Sequence, residues 1–224
     1  MSNKEHKAVA IDDLRVQSSE SRVQSSETRT RHIENMRKQF LESAEVKRLA
    51  AQVIAEEGAR AAEMIGEALS RGHKVLVCGN GGSAGDAQHF AGEMVGRFKI
   101  HGRAALPVLA LTTDTTILTC VANDFSYEEV FSRQVEAFAQ PGDVVLGIST
   151  SGRSGNVLKA LEVAKAKGAV TLALVGGNGG PIAQEADLAV VVPSADTARI
   201  QECHITLIHA ICELVEQGML NNEF

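Results

Sequence analysis

The stretch Cys78–Phe98, CGNGGSAGDAQHFAGEMVGRF, decides how the rest of the chain is read. A glycine-rich turn, GNGGS, leads into a short run carrying His89 and Glu93 at i and i+4, one face of a helix. The apolar run before it, KVLVC (74–78), reads as a strand without in/out alternation. Strand, glycine turn and helix together open an α/β unit. The pattern then repeats outward: LPVLAL (106–111), DVVLGIS (143–149), VTLALV (170–175) and DLAVVV (187–192) are further strands of the same kind. Runs without in/out alternation imply burial on both faces, hence a parallel sheet with helices above and below. Helices fit about Ser83–Val95, Ser126–Phe138, Gly155–Lys167 and Ala198–Gln217. The fold class is therefore α/β, an open doubly wound sheet, and ligands of such sheets bind beyond the carboxyl ends of the strands.

Upstream, residues 1–30 are polar and hold a tandem heptad, RVQSSES (Arg15–Ser21) and RVQSSET (Arg22–Thr28). Val16 and Val23 are its only recurring apolar positions, too few for a coiled-coil seam. This segment is expected to be a mobile or weakly helical extension. Residues 31–224 then form a single domain, beginning with helical periodicity over Arg31–Ser70 that Arg71-Gly72 terminates.

Composition narrows the function. The chain has 224 residues, 44% of them hydrophobic, and a net charge of −6, enough for one sizeable core. Only 4% of residues are aromatic and no patch is strongly basic, which argues against a nucleic-acid partner. No apolar run reaches the length of a membrane span, and no charged-then-apolar leader opens the chain. Cys78, Cys120, Cys203 and Cys212 show no CxxC pairing, and Cys78 and Cys120 are expected to act as small buried hydrophobes. The expectation is a reduced, cytoplasmic protein.

Three loops lie where ligands of such a sheet bind. In GNGGS, glycines let backbone N–H groups approach an anion at a helix N-terminus, although a tight structural turn would use the same residues. The spacing is neither a dinucleotide fingerprint nor a P-loop. In STSGRS (Ser149–Ser154), four hydroxyls crowd a helix start where capping needs one, which favours a bound phosphate. In ANDF (Ala122–Phe125), Asn123 and Asp124 would either cap a helix from Ser126 or bond sugar hydroxyls. The C-terminal run RIQECHITLIHAICELVE adds Gln201 and His209, a little over two turns apart on one face with Ile205, Ile208 and Cys212; His204 falls to the side, as a surface or interface residue would. Two histidines, a glutamate and a glutamine converging would suit a divalent ion such as zinc.

CGNGGS, HFAGE, ANDF, STSGRSGNV and RIQECHITLIH, in this order over roughly Ile33 to Glu216, resemble the sugar-isomerase (SIS) domain, and within it the phosphoheptose isomerases. The resemblance implies a flavodoxin-like five-stranded domain, a homotetramer with active sites between subunits, and one zinc ion per subunit. It carries the metal ligands onto His89, Glu93, Gln201 and His209. Substrate contacts fall on Asn80, Gly81, Gly82, Glu93, Asn123, Asp124, Ser149, Thr150, Ser151, Ser154 and Gln201. Gly92 departs from members with a second acid there, at a helix cost of about 1 kcal/mol. Related SIS-domain proteins that bind the bacterial replication initiator share GNG, QHFA and RIQE, but lack an acid at position 93 and a histidine at position 209.

The implied reaction turns sedoheptulose 7-phosphate into the aldose D-glycero-D-manno-heptose 7-phosphate, a step toward activated heptose for lipopolysaccharide or other surface glycans. An enediol(ate) route needs a base over carbon, for which Glu93 is the choice, and a second acid/base, His209. A zinc-bound carboxylate is a poorer base, so either Glu93 leaves the metal during turnover or the metal is partly structural. The competing classes are a sugar-phosphate sensor, which needs the hydroxyl loop alone, and a replication-initiator adaptor.

Overall fold

The computed structural model describes the backbone of residues 2–224 and the side chains of residues 27–224. The chain falls into two compact units, residues up to Glu45 and Val46–Phe224. The first is formed by helix α1 (Ser2–Val53), which runs on into the second. The backbone through the tandem heptad is helical within α1, and its side chains up to residue 26 lie outside the described residues. Ile33, Met36, Phe40 and Leu41 stand exposed further along the helix.

In the second unit, the apolar runs become five parallel strands: β1 (Val75–Gly79), β2 (Val108–Ala110), β3 (Val144–Ser149), β4 (Val170–Gly176) and β5 (Leu188–Val192), in the order β2-β1-β3-β4-β5. Register is fixed by pairs such as Val75 with Val144 and Val144 with Val170. Because side chains alternate along a strand, each run feeds two cores. Val75, Val77, Leu146, Ile148, Leu172 and Leu174 face α2 (Ala55–Ser70), α3 (Gly82–Val95) and α8 (Thr197–Asn221). Leu76, Cys78, Val145, Ala173 and Val175 face α4 (Thr115–Asp124), α5 (Ser132–Phe138), α6 (Gly155–Ala166) and α7 (Gly180–Glu185). The helical region read over Arg31–Ser70 is broken at Ile54, between α1 and α2. α2 ends as expected: Gly72 takes φ +83° and donates to the Leu69 carbonyl while His73 donates to that of Ala68, a left-handed cap that glycine accepts without strain.

Two helices have no counterpart in the sequence reading. α4 begins at Asp114, whose Oδ1 accepts from the Ile117 N–H at 2.9 Å. Asn123 and Asp124 therefore close α4 and do not cap the segment after it, which opens with a single 3₁₀ turn, Tyr127–Glu129. α7 is short, with Pro181 in its first turn. Cys120 also departs from expectation: it lies on the exposed side of α4, whereas Cys78, Cys203 and Cys212 are buried. Among the described residues no helix is long and apolar enough to cross a membrane.

His204 is the larger correction. It is fully buried, with Nε2 donating to the Val175 carbonyl at 3.2 Å and Nδ1 enclosed without a partner. Burial, only partly offset by that carbonyl, pushes its pKa down from 6.5 to about 4. The unfolded imidazole takes up a proton near pH 6.5 and the folded one only near 4, so the unfolded state holds more protons between them. Stability should fall as pH drops across that window, by up to about 3 kcal/mol from this group. Urea unfolding at pH 7 and pH 4.5 should show a smaller loss for His204→Gln, whose amide can still donate to Val175 and cannot charge. Equal losses in both proteins would exclude His204 as the cause.

Candidate active site

The chain leaves β1 toward β2 at one edge and returns across the sheet to β3, so the loops ending β1 and β3 open side by side. They are tied together. Asn80 donates from Nδ2 to Asn156 Oδ1 at 2.8 Å, Asn156 donates back to Asn80 Oδ1 at 2.9 Å, and the Tyr127 hydroxyl donates to the same oxygen at 3.0 Å. Asn80 is thus committed through its side chain to joining the two loops, with partners, Asn156 and Tyr127, that sequence reading missed.

The hydroxyl loop behaves unlike a simple cap. Ser154 occupies the N-cap position of α6, yet its side chain makes no capping bond. Its Oγ lies 2.9 Å from Ser149 Oγ, which in turn lies 3.5 Å from Ser151 Oγ. Ser151 also accepts from the Arg153 N–H at 3.2 Å. Ser149 is buried, Thr150 and Ser154 half-buried and Ser151 exposed, a graded cluster of neutral donors at a helix start. Asn123 and Asp124 remain exposed at the end of α4, paired with each other at 2.8 Å. The Asn123 amide, then the Cys120 thiol, hold the Asp124 carboxyl below its usual range.

α3 and α8 run parallel, and their contacts advance together along both helices. At the start of α3, Gly82 lies beneath the Gln201 amide, and a Cβ there would collide with it. Further along, His89 Nε2 lies 2.9 Å from His209 Nε2 and 3.3 Å from Glu93 Oε1. One ligand atom from each of His89, Glu93 and His209 lies within 4.8 Å of the others, a group able to hold a metal ion. Two imidazole nitrogens bound to one tetrahedral zinc would sit roughly 3.3 Å apart, given bonds of about 2.0–2.1 Å, so the donor set fits after a small adjustment. Gln201 shares α8 with His209 and reaches the glycine loop.

Past the end of α3 lies a buried polar cluster that no motif or periodicity announces. Glu216 is buried and accepts four bonds: from the N–H groups of Phe98 (2.7 Å), Lys99 (2.8 Å) and Ile100 (3.0 Å), and from Arg103 Nε (2.5 Å). Burial would raise its pKa, but Arg103 and the three N–H groups outweigh it and hold it at about 2. Arg103 also donates to the carbonyls of Glu93 and Met94 at 2.7 and 2.8 Å, and the Phe98 ring stacks on His209 at 5.4 Å and 21°. Asp86, one turn before His89, has its Oδ2 enclosed without a partner; burial pushes its pKa up to about 6 against the pull of His89.

The SIS domain matches residues 25–176. A phosphoheptose isomerase of Aquifex aeolicus is 54% identical over 83% of this chain and 96% of its own length. The chain belongs to the phosphoheptose isomerase family. A phosphoheptose isomerase of Citrifermentans bemidjiense is 59% identical over 71% of this chain and 82% of its own length. The solved phosphoheptose isomerase of Neisseria gonorrhoeae superposes with a TM-score of 0.78 at 44% identity, covering 82% of this chain and 98% of that one. The five-stranded parallel sheet flanked by helices is thus the fold of the phosphoheptose isomerases.

Proposed function

We propose that the chain converts sedoheptulose 7-phosphate into D-glycero-D-manno-heptose 7-phosphate through an enediol(ate), supplying heptose for surface-glycan precursors. The carrying observation is the convergence of His89, Glu93 and His209 from two helices at one point. Glu93 and His209, a carboxylate and an imidazole whose ligand atoms lie within 4.8 Å of each other, suit proton transfer between adjacent carbons. Glu93 takes the proton from carbon, and His209 moves the hydroxyl proton. Ser149, Thr150, Ser151 and Ser154 hold the phosphate with neutral donors at the start of α6, while Gly81 and Gly82 admit the sugar close to the backbone. Asn80 keeps the two loops in register, and Asn123 and Asp124 offer an amide and a carboxylate to sugar hydroxyls. His89, Glu93, Gln201 and His209 would hold a zinc ion, which would supply polarisation of the substrate carbonyl.

The exposed stripe of Ile33, Met36, Phe40 and Leu41 supports a homotetramer in which these helices pack together. Residues 1–30 are too polar to add to the core and are expected to be dispensable for turnover. A cytoplasmic location fits the free cysteines.

One assay tests the reading. Purified protein with sedoheptulose 7-phosphate should form the aldose, a chelator should suppress the reaction, and added zinc should restore it. The chain lacking residues 1–30 should turn over at the parental rate. Phosphosugar binding without isomerisation would mark a sensor, and neither binding nor isomerisation would point to an adaptor.

A further inference from the structure

We infer that Glu216 and Arg103 form a clamp that positions the reacting groups, acting on His209 through the ring of Phe98 and on Glu93 through its backbone. The inference rests on the isomerase reading of the site. Glu216 alone fixes three consecutive backbone N–H groups, those of Phe98, Lys99 and Ile100, so the loop after α3 has no freedom to swing where Phe98 leaves it. Phe98 then lies nearly parallel to the His209 imidazole, at 21° and 5.4 Å. An imidazole turns about two side-chain torsions, and a ring stacked on one face removes most of that rotation. This holds His209 Nε2 toward His89, where the two nitrogens stand 2.9 Å apart. The other half of the clamp works on the neighbouring helix. The Arg103 guanidinium bonds Glu216 through Nε and takes the Glu93 and Met94 carbonyls through its remaining nitrogens, tying the last turn of α3 to the same carboxylate.

One buried ion pair, 9% and 1% exposed on its two side chains, therefore sets the spacing between a group on α3 and a group on α8. Arg103 reaches Glu93 through its backbone carbonyl and Phe98 reaches His209 through the face of its ring, so these are positioning residues. Groups that orient metal-binding or catalytic side chains commonly change affinity or activity by about 10–100-fold when removed.

The test uses Phe98→Leu, which keeps apolar volume and loses the flat ring, with Phe98→Tyr as the conservative rescue and Glu216→Gln as the disruption of the clamp itself. Phe98→Leu should lower kcat by about tenfold with KM changed less than about twofold, and Phe98→Tyr should recover it. Zinc affinity of the full chain, measured by competition with a chromophoric chelator and independent of turnover, should weaken about tenfold in Phe98→Leu. Combining Phe98→Leu with Glu216→Gln should lower kcat no further than the worse single change, as expected when two residues act along one path. Unchanged kcat and zinc affinity in Phe98→Leu overturns the clamp, as does equal loss in Phe98→Leu and Phe98→Tyr. If Glu216→Gln does not fold, the two Phe98 variants still decide. A parental protein without isomerase activity would remove the functional reading, while the zinc competition would still judge the clamp.

Discussion

Glu93→Gln is expected to abolish isomerisation in a chain that still folds. The amide has the volume of the carboxyl and keeps a polar contact to His89, which lies 3.3 Å away, so packing gives no reason for collapse. What would be lost is the lone-pair basicity by which, in the proposed mechanism, Glu93 accepts a proton from carbon. General-base catalysis supplies about 10²–10⁴-fold, and the measured kcat should drop by at least that much. Circular dichroism and the thermal midpoint should match those of the parent. A variant within tenfold of parental kcat would take Glu93 out of the role of base.

His209→Ala and Ser151→Ala should fail in opposite ways. In the proposed mechanism His209 acts on the reacting end of the sugar, so its removal should lower kcat while substrate still binds. Ser151 lies in the hydroxyl cluster at the start of α6, and in the proposed mechanism it would grip the remote phosphate equally in ground and transition states. Losing such an interaction raises KM more than it lowers kcat. A hydrogen bond to a charged group contributes about 1.5–3 kcal/mol, so kcat/KM for Ser151→Ala should fall roughly ten- to a hundredfold. An unphosphorylated heptulose is the control: the parent should handle it poorly, and Ser151→Ala should make it little worse. If Ser151→Ala loses only kcat, or the phosphate makes no difference to the parent, the phosphate is held elsewhere.

The sheet is legible in the sequence because runs such as Val75-Leu76-Val77 and Leu172–Val175 are apolar at every position, which burial on both faces explains. α4 is not, because its β-branched start, Thr115-Thr116-Ile117, favours strand, and the Asp114 cap and the packing of Ile117, Leu118 and Val121 make it helical. On α8, helical spacing puts Gln201 and His209 on one face, together with Ile205, Ile208 and Cys212, and so takes that face as the buried one. The arc turned to the core runs through Ile200, Cys203, His204, Ile208, Ile211 and Cys212. Gln201 and His209 flank it and look toward α3, which is why His204, read as peripheral, is the most enclosed of the three. The contacts of Glu216 have no local signature at all. They join a helix to an aperiodic loop more than a hundred residues earlier, and no periodicity encodes that.

The parallel course of α3 and α8 has a consequence for how the chain tolerates insertions. Gly82 meets Gln201, His89 meets His209, and Phe98 meets Glu216, so the two helices act as matched rulers. One residue added within α8 between Gln201 and His209 would turn everything downstream by about 100° and advance it about 1.5 Å. His209 and Glu216 would leave their partners together, whereas a residue added to the exposed loop at His101-Gly102 leaves the pitch of both helices as it was. Length is therefore a strict constraint on one turn-by-turn segment near the C-terminus and a loose one in the loop beside it.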